Sequence, residues 1–201
     1  MLTTKTARIF LKPPVFLICL LPFFFILTDS IELTGNLGAN PIENIQDRLG
    51  NWGLRFLLLT LAISPLRKLT GQIWLTLFRR MLGLFTFFYV LMHFLTWLIL
   101  EQNIYLPAIT EDIITRPFIT IGFLALLILL LLASTSTNNI QRKLQKKWYA
   151  IHRLIYAASI LAVWHYWWQV KKDITEPLIY VFVLSILLLY RIWIKYLSRK
   201  N

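Results

Sequence analysis

The sequence is poor in cysteine, in acidic residues and in charge generally. It contains one cysteine, Cys19, and nine acidic residues among 201. A single cysteine excludes intrachain disulfides, iron–sulfur clusters bound by thiolates and zinc–thiolate sites. Charged residues make up 15% of the chain, whereas soluble domains usually carry about a quarter. The composition therefore excludes an ordinary soluble domain.

Nucleotide-binding motifs are also missing. The chain has no Gly-x-Gly-x-x-Gly fingerprint and no P-loop. No polar segment is long enough to form a nicotinamide or flavin domain. If the chain carries electrons, they must therefore arrive from a partner protein or from a membrane quinol.

Long apolar runs are what the sequence does have. Hydrophobic residues make up 58% of it, and the mean hydropathy is +0.65. A helix needs about 20 apolar residues to cross the hydrocarbon core of a membrane, and segments 81–100 and 117–133 contain no charged residue at all. We therefore predict an all-α integral membrane protein, a six-helix transmembrane bundle that forms one domain over residues 1–201. The predicted spans are 9–28, 51–66, 81–100, 117–133, 148–170 and 177–197.

The basic residues are distributed unevenly between the two sides that these spans define. Of the 21 lysines and arginines, 16 lie on the side of the termini, and all nine acidic residues lie on the other side. The positive-inside rule then places both termini in the cytoplasm. The net charge of +12 is thus a topology signal with some attraction to anionic membrane lipid, and we expect no nucleic-acid partner. The five basic residues on the opposite side are Arg48, Arg55, Arg116, Lys171 and Lys172.

The three histidines, His93, His152 and His165, all lie in predicted spans. Ionisable residues at membrane depth are costly and usually functional, and neutral imidazole is a common iron ligand. Spans three and five run in the same direction, and His93 and His165 lie toward the same outer end of each. We therefore predict that these two histidines bind one haem iron from opposite faces.

His152 precedes His165 by 13 residues, so on one straight helix it would lie about 20 Å closer to the cytoplasm. It is predicted either to bind a second, inner haem or to have another role. The matching positions on span three hold Arg79 and Arg80 instead of histidine. Arg79 shares the face of His93 better than Arg80 does. Contact with a haem propionate is the preferred role for these arginines, and a place on the axial side of an inner haem is the alternative.

Other functions fit some of these features. Histidines in membrane helices also form hydrogen bonds between helices, and an alternative is a metal-free channel or transporter whose histidines relay protons. The predicted spans, however, lack the intramembrane acids typical of proton pathways. A stand-alone cytochrome that oxidises quinol or reduces ferric iron remains a second alternative.

Six segments of the sequence form a specific combination. They are LGANPIENIQDRLG (37–50), LAISPL (61–66), RRMLGL (79–84), ITRP (114–117), QRKLQKKWYAIHRLIY (141–156) and HYWWQVK (165–171). Together they resemble the MsrQ (YedZ) family, haem-binding membrane subunits of the bacterial periplasmic methionine sulfoxide reductase system, and the similarity extends over about residues 10–197. The family is grouped with the ferric-reductase-like transmembrane proteins, whose members carry two histidines on each of two helices. Here span five keeps both histidines and span three keeps one.

The resemblance implies an electron-transfer subunit in the bacterial inner membrane with one or two b haems. Electrons would enter from a cytoplasmic flavin reductase or the quinol pool and leave to a periplasmic molybdopterin enzyme of the MsrP type. That partner would reduce methionine sulfoxide in oxidised envelope proteins. The resemblance also implies FMN binding, for which the sequence contains no recognisable motif.

Overall fold

The computed structural model describes residues 3–170 and 173–200; Lys171 and Lys172, two of the predicted outer basic residues, lie outside them. Every regular element in these ranges is helical. Within the described residues, five helices are long and apolar enough to cross a membrane. The helices are α1 (Thr4–Ser30), α2 (Pro41–Thr70), α3 (Ile73–Glu101), α4 (Leu106–Thr115), α5 (Pro117–Ser134), α6 (Asn138–Leu144), α7 (Lys146–His152), α8 (Ile155–Gln169) and α9 (Thr175–Lys200).

Predicted span 148–170 differs from the other five because two helices share it. Helix α7 ends at His152 and α8 begins at Ile155. Between them, the amides of Arg153 and Leu154 donate to the carbonyls of Ala150 and Ile151, three residues back, which tightens the turn and interrupts the α-helix. His152 and His165 therefore lie on consecutive helices instead of on one straight helix.

Two helix pairs build the bundle. Helix α2 packs along α3, and α5 packs along α8, with α9 against both α8 and α2. Buried leucines join the two pairs, among them Leu57, Leu61 and Leu129. A separate aromatic and aliphatic cluster fixes α1 against α2 and α3. The short α2–α3 connection follows from Gly71, which ends α2 with a φ of 70°, a conformation that costs glycine little.

Helix α1 contains Pro22, which cannot donate a backbone hydrogen bond. One residue later, the Phe23 amide donates to the hydroxyl oxygen of Tyr89 at 3.0 Å, and this hydroxyl donates to the Cys19 carbonyl at 2.8 Å. The fully buried Tyr89 thus bridges two backbone groups that an uninterrupted helix would join directly. This contact ties α1 to α3 one turn before His93.

Candidate functional site

The predicted outer pair, His93 and His165, comes together where α3 and α8 meet. The centroids of the two imidazole rings are 6.2 Å apart, and the ring planes are inclined at 78°. Each ring belongs to a different helix pair, so the approach depends on the packing of the whole bundle.

A backbone carbonyl orients each imidazole of this pair. Nδ1 of His93 lies 2.9 Å from the carbonyl oxygen of Gln46 on α2, and Nδ1 of His165 lies 2.7 Å from that of Phe118 on α5. A carbonyl can only accept, so each Nδ1 carries the hydrogen and each Nε2 keeps its lone pair. This tautomer is the one required of a histidine that binds metal through Nε2.

Two glycines leave the space that the rings occupy. A Cβ atom at Gly50 would lie 3.2 Å from Nδ1 of His93, and one at Gly122 would lie 2.7 Å from Nδ1 of His165. Each glycine follows the carbonyl residue, Gln46 or Phe118, by four positions. It therefore lies one helical turn along the same face. Neither glycine could be recognised from the sequence, because nothing in the local sequence shows which helix a glycine faces.

The two histidines line a cavity of about 900 Å³, here called the histidine-pair cavity. The end nearest the middle of the bundle is apolar, and the other is polar, with three acidic residues and one arginine among the lining residues that the structure describes. The apolar end is formed by Leu54, Leu57, Ala125, Leu126 and Leu129, and the polar end includes Glu43, Asp47, Glu101 and Arg116.

The spacing of the rings suits an iron between them. Metal–imidazole bonds are about 2.0 Å long and a ring nitrogen lies about 1.1 Å from its centroid, so an iron bound by both imidazoles from opposite sides would separate the centroids by about 6.2 Å. Within residues 3–170 and 173–200, no group of three or more His, Cys, Asp or Glu side chains is arranged to hold a metal ion. Two imidazoles in a large cavity between helices therefore fit a metal whose remaining ligands come from a macrocycle, as in haem.

His152 has a different environment. Its ring stacks on that of Trp148, with centroids 3.9 Å apart and planes at 25°. Its Nε2 lies 3.2 Å from the hydroxyl oxygen of Thr135, whose own hydrogen is donated to Leu131 at 2.7 Å. This oxygen therefore accepts from His152, and Nε2 carries a hydrogen. Binding of iron through Nε2 would require that hydrogen bond to break.

The predicted inner residues line a second cavity of about 510 Å³, here called the basic cavity. It contains His152, Arg79 and Arg80 together with Gly83. Arg80 donates to the Asn138 side chain. The full set of cationic lining residues is Arg67, Lys68, Arg79, Arg80 and Arg191, and the described lining residues include no acid. Arg79 and Arg80 thus share a cavity with His152, as the spacing predicts.

Residues 49–163 match the family model described as ferric reductase like transmembrane component; His93 and His152 lie inside the match and His165 two residues beyond it. A Xanthomonas oryzae pv. oryzae (strain MAFF 311018) protein is 50% identical over 165 residues, 82% of this chain and 76% of its own length. A Ralstonia nicotianae (strain ATCC BAA-1114 / GMI1000) protein is 42% identical over 196 residues, 96% and 89% of the two chains.

Both relatives are named protein-methionine-sulfoxide reductase heme-binding subunit MsrQ. The long apolar helices and the transmembrane family model together indicate a multi-pass membrane protein. These identities extend over most of each chain, and the resemblance seen in the sequence is confirmed. The chain belongs to the MsrQ family of ferric-reductase-like transmembrane proteins.

Proposed function

We propose that this chain is a b-type cytochrome subunit that passes electrons across the bacterial inner membrane. The acceptor would be a periplasmic molybdopterin methionine sulfoxide reductase of the MsrP type, which repairs oxidised methionines in envelope proteins. The names of the relatives support this function, since they combine haem binding with methionine sulfoxide reduction.

The observation that carries the proposal is the pairing of His93 with His165. Both rings are in the tautomer that leaves Nε2 free, and their separation of 6.2 Å suits a six-coordinate iron. When bound there, haem supplies reversible one-electron chemistry. The chain holds the two ligands in fixed orientations and encloses the site with apolar side chains.

A second haem at His152 remains a proposal of its own. His152 would supply one iron ligand, with Arg79 and Arg80 near the propionates or on the axial side. The shared basic cavity supports this assignment, whereas the hydrogen bond from His152 to Thr135 would have to break. FMN stays an expectation from the family alone.

Electrons would enter on the side of the basic cavity, from a cytoplasmic flavin reductase or from the quinol pool. In this proposal the partner enzyme reduces the substrate, and the residues of this chain take no part in that reduction. The proposed topology is one domain over residues 1–201 that crosses the membrane six times, with both termini in the cytoplasm. It is supported by 16 of 21 basic residues on one side.

The first experiment is to purify the protein in detergent after haem-supplemented expression. Oxidised and dithionite-reduced absorbance spectra, with a pyridine-haemochrome count per chain, should show sharp reduced α and Soret bands and one or two b haems. A colourless protein would refute the cytochrome function and favour a proton relay or purely structural histidines.

The acceptor requires a separate experiment. The dithionite-reduced protein, freed of excess reductant, is mixed with a purified molybdopterin methionine sulfoxide reductase in a stopped-flow instrument. We expect the reduced haem bands to disappear faster with this partner than with a periplasmic molybdoenzyme of unrelated substrate. Equal rates would favour the stand-alone cytochrome.

A further inference from the structure

A buried indole N–H in the histidine-pair cavity has no hydrogen-bond partner among the residues that the structure describes. Trp97 is part of the cavity wall, and its Nε1 is buried without a hydrogen-bond acceptor. Buried polar groups are nearly always paired, so such an exception needs an explanation, and an absent ligand is one. Trp97 lies one turn beyond His93 on α3, at the start of a π-helical segment, Trp97–Glu101. Segments of this kind occur frequently at functional sites.

Arg116 is a second donor in the same wall. Its Nε donates to Asp112 at 3.1 Å, and Asp112 also accepts from Gln102 at 2.7 Å. This contact holds one edge of the guanidinium group and leaves its two Nη groups without an acceptor among the described residues. The Arg116 side chain is 52% exposed, so these groups are accessible from the cavity.

The polarity of the cavity determines which way an amphiphilic ligand must lie. Haem carries two carboxylates on one edge, and burying an unpaired carboxylate in apolar surroundings is very costly. The leucine-lined end therefore excludes that edge. At the polar end, Glu43, Asp47 and Glu101 are acidic, and an ionised carboxylate cannot donate a hydrogen bond.

We propose that the Trp97 Nε1–H and the Arg116 guanidinium bind a carboxylate of the haem at the polar end of the histidine-pair cavity. This proposal rests on the proposed function, since it deepens the haem site. Trp97 and Arg116 are positioning residues: they fix the rotation of the macrocycle about the axis between the two histidines. Asp112 and Gln102 orient the arginine for this contact.

The test compares haem with haem dimethyl ester, in which both carboxylates are esterified. Apo-protein is loaded with either compound. The transfer of that compound from the protein to excess apomyoglobin is then followed by absorbance. Trp97→Phe keeps an aromatic ring, though a smaller one, and removes the N–H, and Arg116→Gln removes the charge. The matched controls are Trp52→Phe and Arg48→Gln, because neither Trp52 nor Arg48 lines the cavity.

Wild-type protein should release the ester faster than haem by about tenfold, the effect of one hydrogen bond to a charged group. Trp97→Phe and Arg116→Gln should each reduce this ratio, and the controls should keep it. Arg116→Gln should also lower the midpoint potential of the haem, because a nearby positive charge favours the reduced form.

The ratio of the release rates of ester and haem is measured within each variant. A general loss of stability therefore does not produce the expected change in this ratio. Equal ratios in wild type and in both cavity variants would overturn the carboxylate contact while leaving the haem site intact. A wild-type protein that binds neither compound would instead refute the proposed function.

Discussion

At the residue scale, the tautomer of each histidine follows from its acceptor. His93 and His165 both donate from Nδ1 to main-chain oxygens, so the neutral form of each ring keeps the lone pair on Nε2. His152 uses its Nε2 to reach Thr135. The three histidines of the sequence therefore divide into an equivalent pair and a third with a different environment.

The pairing predicts the effect of removing each histidine. His93→Ala and His165→Ala should each abolish the same low-spin haem signal, because either change leaves the iron with one protein ligand. Low-temperature absorbance and electron paramagnetic resonance of the purified variants would measure this loss. His152→Ala serves as the control and should retain that signal. A full complement of low-spin haem in either paired variant would show that the pairing is wrong.

The glycines beside the rings predict a steric effect. Gly122→Ala would place Cβ 2.7 Å from Nδ1 of His165, too close for van der Waals contact, so the imidazole must shift. We expect most of the low-spin haem signal to be lost, with a smaller loss for Gly50→Ala, where the distance is 3.2 Å. Haem content per chain is the measurement.

Gly83→Ala is the control for these variants, since its nearest neighbour, a Thr60 methyl carbon, is 3.7 Å from the added Cβ. This variant should keep the wild-type signal from the histidine pair. Equal haem content in Gly122→Ala and Gly83→Ala would contradict the steric explanation.

At the element scale, the attachment of α1 depends on one hydroxyl. Tyr89→Phe would leave the Phe23 amide and the Cys19 carbonyl without their observed partner. An unsatisfied buried group costs about 1–3 kcal/mol, so we expect a loss of this size in the free energy of unfolding. Unfolding in mixed detergent and SDS micelles would measure it. Tyr149→Phe, at a side chain that is 67% exposed, should have little effect; an equal loss in both variants would rule out a specific role for Tyr89.

The positions of the long helices could be predicted from the sequence, whereas the break between α7 and α8 could not. Spans one to four and six each lie within a long helix, because an apolar run of the right length is visible locally. The interruption at Arg153–Leu154 depends on backbone hydrogen bonds that no composition reveals. Likewise, the pairing of His93 with His165 followed from depth and direction, while Gln46, Phe118, Gly50 and Gly122 emerged only when helices distant in sequence were placed side by side.

At the scale of the whole molecule, charge is separated between the two ends. The described lining of the basic cavity contains five cations and no acid, whereas the polar end of the histidine-pair cavity has three acids and Arg116. Positive charge favours retention in the cytoplasm, so the basic cavity should face that side.

The orientation and the number of crossings can be tested together. Helix α8 has 15 residues, about 22 Å at 1.5 Å per residue, so the proposed crossing of a core of about 30 Å would need α7 as well as α8. A C-terminal green fluorescent protein fusion should be fluorescent and a C-terminal alkaline phosphatase fusion inactive, with the reverse for fusions after Asn103. Active phosphatase at the C-terminus would mean an odd number of crossings.

The main-chain anchoring of the paired histidines has a consequence for how the sequence can vary. The acceptors are carbonyls of Gln46 and Phe118, and every amino acid has a carbonyl. Substitutions at these two positions therefore leave the acceptors in place, although they would remove the stacking of Phe118 on His165 and the hydrogen bond from the Gln46 side chain to Glu101. The orientation of the two histidines depends instead on the absence of a side chain at Gly50 and Gly122, where any substitution adds atoms beside an imidazole ring.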